Sequence, residues 1–276
     1  MTRHTPLVIT LLAVFLLPIP GAKAGEVAIP DKNLEVALRA ILREPKAKLS
    51  EEKLNNVFVL EADKKGIRDL TGLEKCKNLA LLKLTGNEVV DLKPLAGLNN
   101  LLSLDLSKNK IVDIAPLKGL SRLQYLELSN NQVEKLNALA GLSTLTSLYL
   151  TNNKIADLGP LAKLTRLASL SLGNNQIKDL APLASVNRIS TLELKNNHIT
   201  DLTPLAKQTE LSLLMIENNK IADLAPLVKA CKADAEGPMR FAPFLRLYMA
   251  GNPLSPAAKT TQLEALKKIG VRIEGK

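Results

Sequence analysis

The sequence predicts an α/β solenoid, a stack of similar units whose short strands form one parallel sheet along a concave side. Asparagine recurs every 22 residues between positions 87 and 219, leucine supplies 57 of the 276 residues, and aromatic residues make up only 3%. An irregular core needs bulky residues of mixed shape, whereas a stack of similar layers can be filled by one kind of aliphatic side chain. Each end of the repeated region carries a helical pattern suited to closing such a stack.

The first 24 residues have the pattern of an export signal. Arg3 precedes an apolar run from Leu7 to Leu17, and Ala22-Lys23-Ala24 follows as a cleavage site of small residues. The run is shorter than the roughly 20 apolar residues of a membrane-spanning helix. We therefore expect residues 1–24 to be removed and the mature chain to begin at Gly25, in the periplasm or outside the cell, with no stable membrane insertion.

Residues 25–56 are predicted to form a helical N-terminal cap. Asp31 is placed to cap a helix that ends near Leu42, and Ser50 is placed to cap a second, shorter helix. A cap is needed because an open stack would expose its first aliphatic layer to water. The apolar stripe of the first helix consists of Leu34, Ala37, Leu38, Ile41 and Leu42.

Residues 57–255 contain about nine units with one pattern. Before Asn109, for example, leucine occupies positions 101, 104 and 106, a spacing that turns the apolar side chains of a short strand inward. The side-chain amide of each asparagine both donates and accepts hydrogen bonds, so it can satisfy backbone groups of adjacent turns inside the stack. The predicted ladder consists of Asn87, Asn109, Asn131, Asn153, Asn175, Asn197, Asn219 and Asn252.

An aspartate and a proline follow the asparagine in most units. We expect the aspartates to accept backbone N–H bonds in the next turn, and the prolines to fix extended or turn geometry on the outer side. A calcium ladder is not expected, because one carboxylate per turn supplies too few oxygen ligands. The aspartates are Asp69, Asp91, Asp113, Asp157, Asp179, Asp201 and Asp223, and the prolines are Pro94, Pro116, Pro160, Pro182, Pro204 and Pro226.

The full pattern, LxxLxLxxNxIxDLxPLxxLxx, resembles the leucine-rich repeat in the 22-residue class of bacterial internalin-like proteins. The resemblance extends over about residues 57 to 255. It implies a right-handed leucine-rich-repeat horseshoe with a parallel concave sheet, a helical N-terminal cap and a helix-strand C-terminal cap. It also implies that a partner binds to the concave face.

The eighth unit is longer than the others. It spans 33 residues instead of 22, so 11 extra residues lie within 228–243. One interpretation is a longer outer helix that helps to close the stack. The other is a docking element built on Met239, Arg240 and Phe241.

Residues 256–276 are predicted to form the C-terminal cap. A helix is expected from Pro256 to Ile269, ended by Gly270 and followed by a closing strand over 271–273. The two cysteines of the chain, Cys76 and Cys231, are many units apart, which is too far for a disulfide, so we expect two free thiols.

The residues on either side of each buried strand leucine are expected to face the concave surface. All three tyrosines fall in these columns, and tyrosine offers a large, rigid contact area with one polar end. One cluster surrounds Tyr125 and Tyr149 in adjacent units, and a second lies near the C-terminal end. The predicted partner-binding residues are Tyr125, Tyr149, Asp105, Glu127, Glu193, Leu213, Met215, Arg246 and Tyr248.

Charge and motifs argue against other classes of function. The net charge is +10, but the basic residues fall on the edge and the outer side, without the interleaved aromatic residues of a nucleic-acid groove. No catalytic or nucleotide-binding motif is present, and His198 is the single histidine after position 24. We expect no enzyme activity, no metal, no cofactor and no bound nucleic acid.

The sequence therefore predicts an exported, monomeric, non-enzymatic module that binds a protein through its concave face. The alternative is an envelope module with a glycan-binding or structural role. In that case Tyr125 and Tyr149 would stack on a sugar ring, while Asp105 and Glu127 would accept hydrogen bonds from its hydroxyl groups.

Overall fold

Ten parallel strands form one open sheet in which strands that follow each other along the chain are neighbours, as the sequence predicts. The computed structural model describes residues 25–275, so the predicted export signal at 1–24 lies outside the described residues. The strands are β1 (Val59–Glu61), β2 (Leu81–Lys83), β3 (Ser103–Asp105), β4 (Tyr125–Glu127), β5 (Ser147–Tyr149), β6 (Ser169–Ser171), β7 (Thr191–Glu193), β8 (Leu213–Met215), β9 (Arg246–Tyr248) and β10 (Arg272–Glu274).

Each strand of the repeats buries its middle residue and turns the two flanking residues to the concave side. In β4, Leu126 is fully buried between the half-exposed Tyr125 and Glu127. Strands pair without a shift, so equivalent residues of successive units form straight columns across the sheet. The leucine layers then merge into one continuous aliphatic core, which no single unit could form alone.

The buried asparagine amides connect successive units, as predicted. Nδ2 of Asn153 donates to the carbonyl oxygens of Leu128 and Leu150, both at 3.0 Å. Its Oδ1 accepts the N–H of Val133 at 2.9 Å. Since Asn131 also donates to the Leu128 oxygen, each such carbonyl receives two side-chain amides. All eight predicted ladder residues make the corresponding bonds.

Short 3₁₀ helices line the outer side. Of the two geometries expected for the prolines, extended or turn, the structure has the second: they lie in the first turns of these helices, because the fixed φ of proline suits a helix start. Each aspartate caps the turn as predicted; Asp113, for example, accepts the N–H of Ala115 at 2.8 Å. The 3₁₀ helices are Leu73–Lys75, Lys93–Leu95, Ala115–Gly119, Asn137–Leu139, Gly159–Leu161, Ala181–Ser185, Thr203–Lys207 and Ala242–Phe244.

Two helices cover the N-terminal end, α1 (Lys32–Leu42) and α2 (Glu51–Leu54), and the predicted residues Asp31 and Ser50 cap them. Asp31 does more than cap α1. One of its oxygens accepts the N–H groups of Asn33 and Leu34, and the other accepts those of Arg68 and Asp69 in the first repeat. These backbone bonds lower the pKa of Asp31, although its burial acts in the opposite direction. Ile41 differs from the prediction, since it is 40% exposed and lies outside the buried stripe.

The insertion forms α3 (Ala225–Ala235) and a loop. Pro226 begins this α-helix, so the shortness of the other outer segments, rather than proline, limits them to 3₁₀ helices. Buried Asp234 accepts the N–H groups of the loop residues Arg240, Phe241 and Ala242, which holds the loop against the stack.

Two aromatic residues of the insertion region differ in exposure from what the sequence indicates. Phe241, a candidate docking residue, is only 4% exposed and belongs to the core. Phe244 lies eight residues before Asn252, a position that leucine fills in most units, yet it is 63% exposed, and Leu245 is buried instead. Among the three candidate docking residues, Met239 and Arg240 remain exposed.

The C-terminal end is closed by a helix and the last strand. The helix includes a π-helical segment, Ala258–Gln262, that continues into α4 (Leu263–Ile269) and ends at Gly270, which has a φ of 105°. Strand β10 lies one residue later than predicted, because Val271 is buried before the strand begins. Both cysteines are free and buried, as expected, and burial raises the pKa of each thiol to about 12.

Replacement of Asn153 with alanine should destabilise the stack. The carbonyls of Leu128 and Leu150 keep a second amide, but the buried N–H of Val133 loses its acceptor. We expect the free energy of unfolding, measured by urea denaturation, to fall by about 1–3 kcal/mol. Asn187→Ala, at an exposed position, serves as the matched control and should change it by less than about 0.5 kcal/mol.

Replacement of Gln208 with leucine should stabilise the protein. Gln208 is fully buried in a position that most other units fill with leucine or valine, and its Oε1 has no hydrogen-bond partner among the described residues. Its Nε2 donates to the Leu183 oxygen, which also accepts the N–H of Val186 and so stays paired. We expect a gain of about 1–3 kcal/mol in urea denaturation. A loss of stability, or an equal gain from Gln176→Leu at an exposed position, would contradict this explanation.

Candidate binding face

The concave face consists of two columns of side chains, one from the first and one from the third residue of each strand. Because the strands pair in register, these columns run across the whole sheet. All nine residues selected from the sequence lie in them. The first column contains Tyr125, Leu213 and Arg246, and the second contains Asp105, Glu127, Tyr149, Glu193, Met215 and Tyr248.

Tyr125 and Tyr149 form an aromatic pair near the middle of the face. Their ring centroids are 5.5 Å apart and the rings are inclined by 46°. Both residues are half-buried, so the outer part of each ring remains accessible. Partial burial and the nearby carboxylates of Glu127 and Asp105 raise the pKa of Tyr125 to about 12, which keeps its hydroxyl group protonated.

Asp105 and Glu127 lie in register beside the tyrosine pair, and neither forms an ion pair within residues 25–275. Asp105 Oδ1 accepts the N–H and the hydroxyl group of Ser107. Glu127 Oε1 accepts the N–H of Ser129 at 2.7 Å. Burial raises the pKa of Glu127, and the charges of Asp105 and Glu193 contribute in the same direction.

Glu193 is less available than its place in the column suggests. It is only 9% exposed, and its carboxylate lies over Gly173, where any side chain would collide with it. Its Oε1 lies 2.8 Å from the ammonium group of Lys195, and its Oε2 accepts the hydroxyl group of Thr151 at 3.3 Å. The structure thus places Glu193 in the floor of the face.

The C-terminal cluster also forms, because Leu213 pairs with Arg246 and Met215 with Tyr248. The guanidinium group of Arg246 lies 5.6 Å from the centroid of the Tyr248 ring. Its Nε lies 3.3 Å from the carboxylate of Glu274 in β10. The guanidinium group also donates to the Tyr248 hydroxyl group at 2.6 Å, so a cation is held between a tyrosine side chain and a carboxylate at this end of the sheet.

Sequence reasoning missed an apolar patch at the other end of the face. Phe58 and Val59 are 55% and 48% exposed, and Leu81 and Leu102 are half-buried. Phe58 and Leu102 occupy the position just before β1 and β3, which the two-column interpretation did not include. Their signal was an apolar residue at a position that polar residues or alanine fill in most other units. We call Phe58, Val59, Leu81 and Leu102 the N-terminal apolar patch.

Within residues 25–275, no group of three or more histidine, cysteine, aspartate or glutamate side chains is arranged to hold a metal ion. None of the helices in the same range is long and apolar enough to cross a membrane.

Comparison with known proteins identifies the repeats directly. The family described as Leucine Rich repeats (2 copies) matches residues 99–141 and 143–185. No curated protein matches the sequence.

Solved structures match over most of the chain. Internalin C2 (inlC2) from Listeria monocytogenes strain 4b F2365 is 35% identical, with a TM-score of 0.70, over 72% of this chain and 88% of that chain. The functional domain of InlJ from Listeria monocytogenes, which includes a cysteine ladder, is 25% identical with a TM-score of 0.62, over 87% of this chain and 56% of that chain. Internalin inlF from the same Listeria strain shares the fold at 24% identity and a TM-score of 0.51, over 90% of this chain and 91% of that chain. The chain belongs to the internalin-like family of bacterial leucine-rich repeat proteins.

Proposed function

We propose that this protein is an exported, non-enzymatic module that binds a protein partner through its concave face. Proteins with this fold are commonly protein-binding modules. The tyrosine pair is the observation that supports the concave face as the binding surface. Two aromatic rings lie in contact at the centre of an otherwise mostly polar sheet surface, and each remains partly exposed. Residues of this kind contribute strongly to binding when a partner covers them.

The setting of Glu127 supports the same proposal. Its raised pKa means that the ionised carboxylate is less favourable in the folded chain than in water. A partner that brings a hydrogen-bond donor or a positive charge would relieve this penalty. Groups that destabilise the free protein in this way are frequently retained at binding sites.

Export is proposed from the pattern of residues 1–24, with cleavage before Gly25. A partner in the periplasm or outside the cell follows from it.

Glycan binding is the second candidate function. The contact between Tyr125 and Tyr149, with Asp105 and Glu127 alongside, resembles the combination of stacking surface and acceptors that a sugar requires. The two candidates differ in what the tyrosines contact, so one set of variants can separate them.

A photo-reactive residue at position 149 provides the direct test of protein binding. The expected result is a single crosslinked protein in the fraction outside the cytoplasm, suppressed by an excess of unlabelled protein. The matched control carries the same group in place of Arg166, an exposed residue on the outer side. Equal labelling from both positions would contradict binding at the concave face. Saturable binding on a glycan array that Tyr149→Ala abolishes, with no protein captured, would establish the second candidate instead.

The variant Glu127→Gln should be more stable than the parent protein at neutral pH. A carboxylate whose folded-state pKa is raised contributes most to stability below its unfolded pKa, and that contribution is lost as the pH rises through the folded pKa. Glutamine removes the charge and still accepts the N–H of Ser129. We expect a higher melting temperature at pH 7 and no difference at about pH 3, where the parent carboxyl group is also neutral. Glu134→Gln at an exposed position is the control, and an equal gain there would contradict the prediction.

A further inference from the structure

The tyrosine pair and two carboxylates lie together near the middle of the concave face. Asp105 and Glu127 face Tyr125 and Tyr149, and we call these four residues the central socket. The ammonium group of Lys83 on the same face is already paired. Lys83 lies in register with Asp105, but its Nζ is 2.9 Å from Asp63.

The lysine on the other side is also paired, since Lys195 lies 2.8 Å from Glu193. The two carboxylates of the central socket thus have no ion-pair partner among residues 25–275. Like charges in adjacent strands repel each other, and partial burial strengthens that repulsion. A positive charge from outside the chain is the group that would compensate both carboxylates together.

The C-terminal end of the same sheet holds a cation of the chain itself beside the same kinds of group. There Arg246 lies 5.6 Å from the centroid of the Tyr248 ring, donates to its hydroxyl group at 2.6 Å and lies beside the carboxylate of Glu274. The central socket presents the same two kinds of group, an aromatic ring and a carboxylate, each in duplicate. Cations bind over tyrosine rings more strongly when the site is partly shielded from water.

The N-terminal apolar patch lies at a defined distance from the central socket. Val59 in β1 and Tyr125 in β4 occupy the same column, three strands apart. Neighbouring strands are about 4.8 Å apart, so the separation is roughly 14 Å. An extended peptide rises about 3.3 Å per residue, and about four residues span this distance.

We propose that the partner presents an extended segment whose arginine or lysine enters the central socket, and whose apolar side chain, about four residues away, covers the N-terminal apolar patch. The inference rests on the proposed function and specifies the chemistry of the partner. The two carboxylates of the central socket favour a basic residue in the partner. The exposed side chains of Phe58 and Val59 favour an apolar residue in the partner. The net charge of +10 does not oppose such a partner, because charges beyond about 8 Å are screened at physiological ionic strength.

Selection from a library of random peptides tests this chemistry without knowledge of the natural partner. Protein expressed from the full-length sequence is immobilised, and bound peptides are sequenced. We expect enrichment of peptides that combine a basic residue with an aliphatic or aromatic residue about four positions away, in either order. Enriched peptides without a basic residue, or with an acidic residue in its place, would overturn the proposal.

The tyrosines then report where the selected peptides bind. The chain has no tryptophan and three tyrosines, so in a Tyr248→Phe variant the emission comes from Tyr125 and Tyr149 alone. Titration with selected peptides that contain no tyrosine or tryptophan should change this emission saturably, and added salt should weaken binding.

Combined Asp105→Asn and Glu127→Gln substitutions should reduce the affinity about tenfold or more. Glu61→Gln is the matched control, because Glu61 is a carboxylate of the same column outside the central socket, and it should change the affinity by less than about twofold. Equal affinity for the double variant and the parent protein would overturn the inference. In that event crosslinking at position 149 still decides the proposed function separately, since it does not depend on the charge of the partner.

Discussion

The hydrogen bonds of the buried asparagine amides fix the geometry of the entire stack. Each amide binds carbonyl oxygens of its own unit and of the unit before it, and accepts an N–H from that earlier unit. Strands of three residues provide too few backbone bonds to hold the turns beside them. The asparagine amide supplies the hydrogen-bond partners that the short strands lack. These bonds constrain the distance in space between the asparagines of adjacent units.

This constraint explains where the chain tolerates additional residues. The insertion leaves the ladder intact, because Asn252 still donates to the Ile216 oxygen and accepts the N–H of Ile221. The extra residues form α3 and its loop on the outer side of the stack. The concave columns therefore keep their register across the insertion, and Tyr248 lies beside Met215 as though the unit had normal length.

The periodic parts of the structure and the capping helices could be predicted from the sequence, and the path of the insertion could not. Strand positions, the asparagine ladder and the contact of Tyr125 with Tyr149 follow from the repeat, because register converts sequence spacing into spatial proximity. The exchange between Phe244 and Leu245 depends on how the insertion re-enters the sheet, and no spacing encodes that path.

The contacts that Glu193 makes with other units could not be predicted either. Glu193 reaches across Gly173 to Thr151, two units away, and so becomes part of the floor instead of an exposed contact residue. The apolar patch escaped notice for a different reason. Phe58 and Leu102 lie just outside the strands, at a position whose exposure varies from unit to unit.

The single carboxylate of Asp31 makes the N-terminal cap and the first repeat one cooperative unit. The residue binds the first turn of α1 with one oxygen and the backbone at Arg68 and Asp69 with the other. Fraying of the helix start must therefore release the first turn of the stack as well, so that local opening at this end proceeds as one event. The backbone hydrogen bonds that lower the pKa of Asp31 are lost when acid protonates it, so one protonation weakens its contacts with the cap and with the repeat together.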